Sequence, residues 1–376
     1  MLLYYNTIKM KLAIIVGTRP EIIRLSATIK MAKKYFDTSL IHTGQNYDLS
    51  LNDIFFRDLE LCQPDYYLDC SRINIGSTVG DIISKSYNLF LEIKPDAILI
   101  LGDTNSCLCA YSAKRLKIPI FHIEAGNRCY DPNVPEEINR RLIDHISDIN
   151  MCYMEHARRN LLQEGLKTQY TFVIGSPMAE VIDSIKDKIE SSDVLERLSV
   201  QSKEYFILSV HREENINNNK NFVDIVNCIN KIDETYKKKI IFSVHPRTRK
   251  MLTEKNISFS DNVILSEPFG LIDYCKLQTN SICVISDSGT LTEESTILKF
   301  PAVLLRNSTE HPEGIDAGNI ILGDIKWDNL KINIESVLQK KYWNNISSYD
   351  DKNVSQKICN IVSGYVGIVN KFLWMK

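Results

Sequence analysis

The sequence predicts an α/β protein built from two parallel-sheet domains, and three observations carry that prediction. Its 376 residues exceed what one hydrophobic core usually supports and suit two. Short apolar runs alternate with amphipathic stretches almost to the C-terminus, which is the pattern of strand, crossover helix and strand. The apolar runs are continuous along the chain, as they are in strands covered by helices on both faces.

In the first half, strands are expected at Leu12–Val16, Ser39–His42, Ala97–Leu101, Ile118–Ile123, Asn150–Tyr153 and Thr171–Ile174. Helical spacing falls between them, at Glu21–Tyr35, Ser77–Glu92, Asn105–Arg115 and Glu136–Ile146. The pattern then restarts. Strands are expected at Tyr205–Val210, Ile240–Val244, Asn262–Leu265, Ser281–Ile285 and Ala302–Leu305, with helices at Lys220–Tyr236, Leu271–Leu277 and Thr290–Lys299. The turn Gly175-Ser176-Pro177 marks a boundary, giving domains over residues 1–176 and 177–352. The charged stretch Asp187–Lys203 reads as a helix and linker into the second sheet, and the apolar segment 353–376 reads as a packed C-terminal helix.

Composition narrows the function. Hydrophobic residues make up 44% and charged residues 24%, which excludes a disordered, collagenous or coiled-coil chain. Lys+Arg 45 against Asp+Glu 47 gives a net charge of −2. That balance argues against a nucleic-acid partner, which needs a basic face, and leaves room for a local basic pocket. No run approaches the roughly 18 apolar residues of a membrane span. The N-terminus lacks the basic start, long apolar run and small-residue cleavage site of a signal peptide. Its first nine residues read as a short extension, because Met10-Lys11 would also serve as a start. The ten cysteines contain no CxxC pair and read as buried free thiols, so a cytoplasmic location is expected. No spacing suits zinc, so no metal is expected. HExxH, the Walker P-loop and GxGxxG are all missing, which argues against a metalloprotease, a P-loop NTPase or an ordinary dinucleotide dehydrogenase.

In open parallel sheets ligands sit beyond the carboxyl ends of strands, and the chemistry-bearing motifs follow the strands. Gly17-Thr18-Arg19-Pro20-Glu21 follows the first strand, with Arg24 one turn further on. Two guanidinium groups there suit a diphosphate, or are simply the exposed arginines of a βα turn. Gly102-Asp103-Thr104-Asn105 follows Ala97–Leu101, where an aspartate is either a helix cap or a reacting group. His122-Ile123-Glu124-Ala125-Gly126-Asn127-Arg128 ends another buried strand, and a carboxylate in that place is costly without partners or work. Pro135-Glu136-Glu137 then opens a helix, whose first-turn acids also suit the helix dipole. Several acids at one sheet edge would raise one another's pKa toward neutrality, where a carboxyl group can give and take protons.

In the second half, Ser209-Val210-His211-Arg212 ends a strand, and His211 is either a structural cap or a contact to a diphosphate. Ser286-Asp287-Ser288-Gly289-Thr290, followed by Glu293-Glu294, offers bare backbone N–H groups as an anion seat. A glutamate one turn into that helix can accept from ribose hydroxyls, or the acids merely complement the helix dipole. Arg306 follows the next strand. Phosphate-friendly strand ends in both halves suggest a nucleotide-diphosphate ligand straddling a cleft.

Taken in order, the motifs GTRPEIIR, TGQNYD, LGDTNS, HIEAGNR, PEEINRR, VIGSP, SVHREEN, VHPR, SDSGTLTEES and TEHPEG resemble the non-hydrolysing UDP-N-acetylglucosamine 2-epimerase family, from about Lys11 to Ile321. The resemblance implies two Rossmann-like domains in a GT-B-like arrangement with a central cleft for a UDP-sugar. It also implies a homodimer, no cofactor, and a C-terminal helix that returns to the first domain. By motif match, Asp103, Glu124 and Glu136 fall on the family's catalytic acids and His211 on its essential histidine. Arg19 and Arg24 fall near the diphosphate. Ser288, Gly289, Thr290 and Glu294 fall on the UDP-binding turn, with Arg306 on the nucleotide side. Gln45 falls in the stretch tied to substrate activation, and Arg128 lies in a loop on the sugar side.

Several stretches depart from the glucosamine branch, which shows GTRPE-x-IK-x-x-P, Q-H-x-x-M and an EAGLRTG…PEE loop. Here they read GTRPEIIRLS, QNYDLS and EAGNRCYDPNVPEE, and Thr290 stands where that branch has Gly. These variants look like the branch acting on 6-deoxy L-sugars, which makes UDP-N-acetyl-L-fucosamine from UDP-2-acetamido-2,6-dideoxy-L-talose for capsule or O-antigen biosynthesis. The alternatives are a UDP-N-acetylglucosamine epimerase giving UDP-N-acetylmannosamine, a GT-B glycosyltransferase, and a non-catalytic sugar-nucleotide sensor. For an epimerase the resemblance implies elimination of UDP to a 2-acetamidoglycal and re-addition, because no carbonyl acidifies the C2–H bond.

Overall fold

The structure is a computed structural model that describes residues 9–44 and 55–376. The chain divides into two compact units, Met1–Ser184 with Asp350–Lys376, and Ile185–Tyr349. Each is a Rossmann-like parallel sheet with crossover helices.

In the first unit the strands are β1 (Lys11–Val16), β2 (Asp37–His42), β3 (Tyr66–Tyr67), β4 (Ala97–Leu101), β5 (Ile120–Ile123), β6 (Ile149–Cys152) and β7 (Thr171–Val173). They pair in the order β3-β2-β1-β4-β5-β6-β7, every pair parallel. The helices are α1 (Arg19–Tyr35), α2 (Ile75–Ile93), α3 (Cys109–Arg115), α4 (Pro135–Ile146), α5 (Glu155–Gln163) and α6 (Met178–Ser184). The second unit has α7 (Lys186–Ser191), α8 (Val194–Arg197), β8 (Tyr205–Ser209), α9 (Glu213–Ile216), α10 (Asn219–Tyr236), β9 (Lys239–Ser243), α11 (Pro246–Glu254), β10 (Val263–Ser266), α12 (Leu271–Asn280) and β11 (Val284–Ser286). It continues through α13 (Leu291–Leu298), β12 (Ala302–Leu305), α14 (Pro312–Asp316), β13 (Ile321–Gly323) and α15 (Trp327–Leu338). Its strand order is β10-β9-β8-β11-β12-β13. The last helix, α16 (Val354–Phe372), returns to the first unit and packs on α1.

The strands are apolar throughout because both faces are covered. In β8, Phe206 and Leu208 join one core layer while Tyr205 and Ile207 join the other. All five residues of β4 are buried, as are five of the six in β1. Helix α1 starts at Thr18 because Glu21 reaches back to the Thr18 N–H and hydroxyl, a capping box with Pro20 in the first turn. Its Ile22, Leu25, Ile29 and Ala32 are buried at helical spacing. Val354, Ile358, Val362, Val366 and Val369 form the matching buried stripe of α16.

Several boundaries differ from the sequence expectation, each for a local reason. Strand β5 begins at Ile120 because Lys117 is left-handed (φ 58°) and the Ile118 N–H still bonds the Ala113 carbonyl, closing α3. Ser281 caps α12, so β11 begins only at Val284. The stretch expected as one helix and linker after Asp187 forms two short helices, α7 and α8. The short edge strands β3 and β13 carry too few residues to show a periodicity in the sequence. Helix α6 lies in the first unit, where it packs on α1, although the Gly175–Pro177 turn had suggested that it opened the second domain.

Candidate active site

Strand order fixes where ligands can approach. In each sheet the direction of winding reverses once, between β1 and β4 in the first unit and between β8 and β11 in the second. The crevice outside the strand ends at such a point is the usual ligand site of an open α/β sheet. Gly17 and Gly102 leave β1 and β4 there, and His211 and the Ser288 turn leave β8 and β11.

In the first unit, Leu101 of β4 pairs with Ile123 of β5, so the loops that carry Asp103 and Glu124 leave neighbouring strand ends, and a Cβ at Gly102 would stand 3.6 Å from Glu124 Oε2. Gly102 makes the turn with φ 74°. Glu124 itself is left-handed at φ 68°, a conformation that costs about 1 kcal/mol or more for a residue with a Cβ. Its Oε2 lies 3.3 Å from the Tyr153 hydroxyl and 3.7 Å from Arg24 Nη1, and its Oε1 lies 3.3 Å from Asn127 Nδ2. Arg24 is buried, donates to the Tyr153 hydroxyl at 3.2 Å and lies over the Tyr153 ring at 5.5 Å. Arg19 stands at the mouth of α1 with its guanidinium 5.8 Å from the Phe55 ring centre.

Asp103 is gripped by a residue that sequence reasoning did not single out. Arg140 donates to Asp103 Oδ2 from Nε at 2.8 Å and lies 2.7 Å from it through Nη2, and its Nη1 donates to Glu137 Oε2 at 3.2 Å. Asn139 holds the Asp103 carbonyl at 2.9 Å. Of the paired acids in the PEE turn, Glu137 is the buried one, bonding Arg140, Arg141 and the Cys129 N–H. Glu136, the expected catalytic acid, is exposed in the first turn of α4 and shares no hydrogen bond or ion pair with Asp103 or Glu124 among the described residues.

The Arg128 side chain is engaged by acids of its own unit. Its guanidinium is fully buried, donating to Glu164 Oε1 and Oε2 at 2.8 and 2.6 Å, to Asp144 Oδ2 at 2.7 Å and to the Asn127 carbonyl. This pairing holds Glu164 down at about 2. Asp144 also accepts from the Gly126 N–H and lies 3.0 Å from His122 Nδ1, while His122 Nε2 meets the Gly102 carbonyl at 2.8 Å. Burial pushes the His122 pKa down, but the Asp144 carboxylate more than offsets it, so the pKa is raised above its ordinary value. Arg128 thus belongs to a buried ion cluster under the Glu124 loop. Gln45 lies outside the described residues.

In the second unit a buried aspartate organises the strand ends. Asp287 accepts from the His211 and Arg212 N–H groups at 3.1 and 2.9 Å and from Asn215 Nδ2 at 3.0 Å, and His211 Nδ1 lies 3.2 Å from its Oδ1. His211 is 40% exposed in its side chain, so its ring can reach a ligand while its backbone is fixed. The Ser288 and Thr290 hydroxyls bond each other at 3.0 Å at the start of α13. Glu294 is buried and accepts from Gln278 Nε2 at 2.6 Å. Arg306, expected on the nucleotide, is buried and ion-paired with Glu310 at 2.7 Å. A Cβ at Gly289 would stand 2.8 Å from Glu310 Oε1, so a side chain there requires the Glu310 carboxylate to move. Asp287 was legible inside SDSG, but nothing in the sequence marked it as the partner of His211, 76 residues away.

Each unit is a Rossmann-like domain, with acids at strand ends in the first and small residues at a strand-to-helix turn in the second, an arrangement suited to nucleotide-linked substrates. The chain belongs to the UDP-N-acetylglucosamine 2-epimerase family, whose model matches residues 29–363. It is 40% identical over 347 residues to the UDP-N-acetylglucosamine 2-epimerase of Methanocaldococcus jannaschii, covering 89% of this chain and 94% of that one. The structure of the UDP-N-acetylglucosamine 2-epimerase from Rickettsia bellii matches with a TM-score of 0.90 at 42% identity, over 98% of this chain and 100% of that one. The M. jannaschii enzyme in complex with UDP-GlcNAc and UDP matches with a TM-score of 0.88 at 37% identity, over 94% of this chain and 100% of that one. The chain is therefore an isomerase, a UDP-sugar 2-epimerase.

Proposed function

We propose that the protein interconverts UDP-N-acetylglucosamine and UDP-N-acetylmannosamine. The neighbouring strand-end carboxyls Asp103 and Glu124 carry the chemical part of this reading. The likeness to glucosamine epimerases over nearly the whole chain carries the choice of sugar. In the forward step the C1–O bond to UDP breaks and its electron pair leaves with the diphosphate. The C2 proton passes to a carboxylate, and a 2-acetamidoglycal remains. UDP oxygen then re-forms the bond at C1 while a proton is delivered to the opposite face of C2.

Arg19, His211 and the Ser288 turn stabilise the departing diphosphate charge, and Glu294 holds the ribose. Asp103 and Glu124 move the protons, with Arg140 fixing the first and Arg24 beside the second. Glu136, free of the buried ion pairs that engage Glu137, is the third acid of this reading. The enzyme works as a homodimer in the cytoplasm, where a reducing medium suits ten free cysteines.

Incubation with UDP-N-acetylglucosamine in deuterated water should place deuterium at C2, read by NMR. A product without label would defeat the elimination route. The departures in the 127–134 loop support a second reading, the 6-deoxy L-talo sugar, and the same assay run on that substrate decides between them.

A further inference from the structure

One carboxyl of the first unit has no part in the chemistry above, yet it touches both loops that carry it. Glu21, in the first turn of α1, is 1% exposed. Its Oε2 accepts from the Gly17 N–H at 2.7 Å, the Thr18 N–H at 2.8 Å and the Thr18 hydroxyl at 3.1 Å. Its Oε1 meets the Thr104 hydroxyl at 2.6 Å. A capping box explains the Thr18 contacts. It does not explain Thr104, which follows Asp103 at the end of a different strand.

We propose that Glu21 is a positioning residue whose ionised form ties the Arg19 turn of β1 to the Asp103 loop of β4, so that its proton controls the register of the two loops. In the ionised form all four partners are donors and both oxygens are satisfied. In the protonated form the proton has room only on Oε1, because Oε2 already takes three donors. Oε1 then donates to Thr104 Oγ1, which also accepts from the Ser106 N–H at 3.2 Å. The Thr104 hydroxyl hydrogen must turn away, and the tie between the loops weakens.

The change falls near neutral pH. Burial pushes the Glu21 carboxyl up to about 7 against the pull of its donors, Thr104 the largest of them. Ionisable groups coupled to the same buried turn are the Cys107 and Cys109 thiols after β4, Asp103 and Glu124, with Arg24 on the Glu21 helix facing Glu124. Burial raises both thiols, so they stay neutral here. Asp103 is paired with Arg140, and Glu124 lies beside Arg24.

The inference rests on the proposed epimerase reading and is tested by kcat/KM against pH. For the intact enzyme, activity should rise with pH through a midpoint near 7. Glu21→Gln resembles the protonated form, so it should lose that limb, matching the wild type near pH 6 and falling about tenfold below it at pH 8, as expected for a small misplacement of reacting groups. A Glu21→Gln enzyme that keeps the limb at the same midpoint overturns the proposal.

If that variant does not fold, Thr104→Val and Thr104→Ser replace it. Valine removes the donor to Oε1 and should move the midpoint upward, whereas serine should leave it in place. An unmoved midpoint in the valine variant overturns the proposal. Carboxyl 13C NMR of glutamate-labelled protein reads the same titration without turnover. A Glu21 resonance titrating near 7 in a protein that epimerises no UDP-sugar sinks the functional reading and keeps the titration. A resonance titrating near the ordinary glutamate range sinks the inference and leaves the functional reading untouched.

Discussion

Glu124 occupies a backbone conformation that most side chains avoid. Its turn nevertheless places the carboxyl within reach of Tyr153, Arg24 and Asn127. Glu124→Gln keeps the shape and the backbone cost but removes the ionisable group. Its C2 deuterium exchange should fall by roughly 10²–10⁴-fold, the usual worth of a positioned acid or base. Exchange at the wild-type rate would remove Glu124 from the mechanism. Gly289→Ala is a different kind of change, because the added Cβ must displace Glu310 and, with it, Arg306. UDP binding measured by calorimetry should weaken by about tenfold, roughly 1.4 kcal/mol, because the shift of Glu310 loosens the Arg306 pair beside the turn. Asp103 and Glu124 were legible as acids ending apolar strands. Which of Glu136 and Glu137 is buried was not, because one residue along a helix is a rotation of about 100° and only packing decides which side chain faces inward.

Helix α4 shows how an element serves the site from outside it. Its Arg140 faces Asp103, and Glu137 faces Arg140 one turn earlier, so the helix holds a strand-end acid through a buried ion chain. Arg140→Met would leave Asp103 without its cation and Glu137 with Arg141 alone. The expected cost is about 3 kcal/mol of stability, read as a drop in thermal midpoint, with a loss of kcat at unchanged fold. A variant as stable and as active as the wild type would reduce this chain to a surface pair. The helices α1 and α16 illustrate the opposite case. Their apolar stripes were visible in the sequence, whereas their mutual packing joins segments more than 300 residues apart and follows from no local signal.

At the scale of the whole molecule, pH acts through a few buried groups. His311 is buried and feels two opposing effects. Burial pushes its pKa down, and the Glu313 carboxylate at 3.2 Å pushes it up more, to about 9. A histidine raised in the folded state stabilises fully below its unfolded value of about 6.5, and the contribution is lost as pH rises through 9. Glu21, raised from 4.5 to about 7, acts in the same direction between those values. Glu164, lowered to about 2, acts oppositely, and its contribution is lost as pH falls from 4.5 to 2. His42, lowered to about 4 by burial, acts against Glu21 up to about pH 6.5, and Lys340, lowered to about 8 by burial, acts against His311 above about pH 8. The thermal midpoint should therefore decline between about pH 6.5 and pH 8 and also below about pH 4. His311→Gln should flatten the decline above pH 6.5, and a decline of full size in that variant would mean that His311 does not carry it.

Sequence alone determined the two parallel sheets, their apolar strands and the strand-end motifs, because covered strands need unbroken apolar runs and ligand loops follow strand ends. Only the tertiary structure decided that Arg128 and Arg306 are consumed by buried carboxylates, that Arg140 holds Asp103 and that Asp287 anchors His211. Those pairings join residues distant along the chain, and an ion pair is set by distance in space and by the cost of burying a charge without a partner, neither of which is written in local spacing.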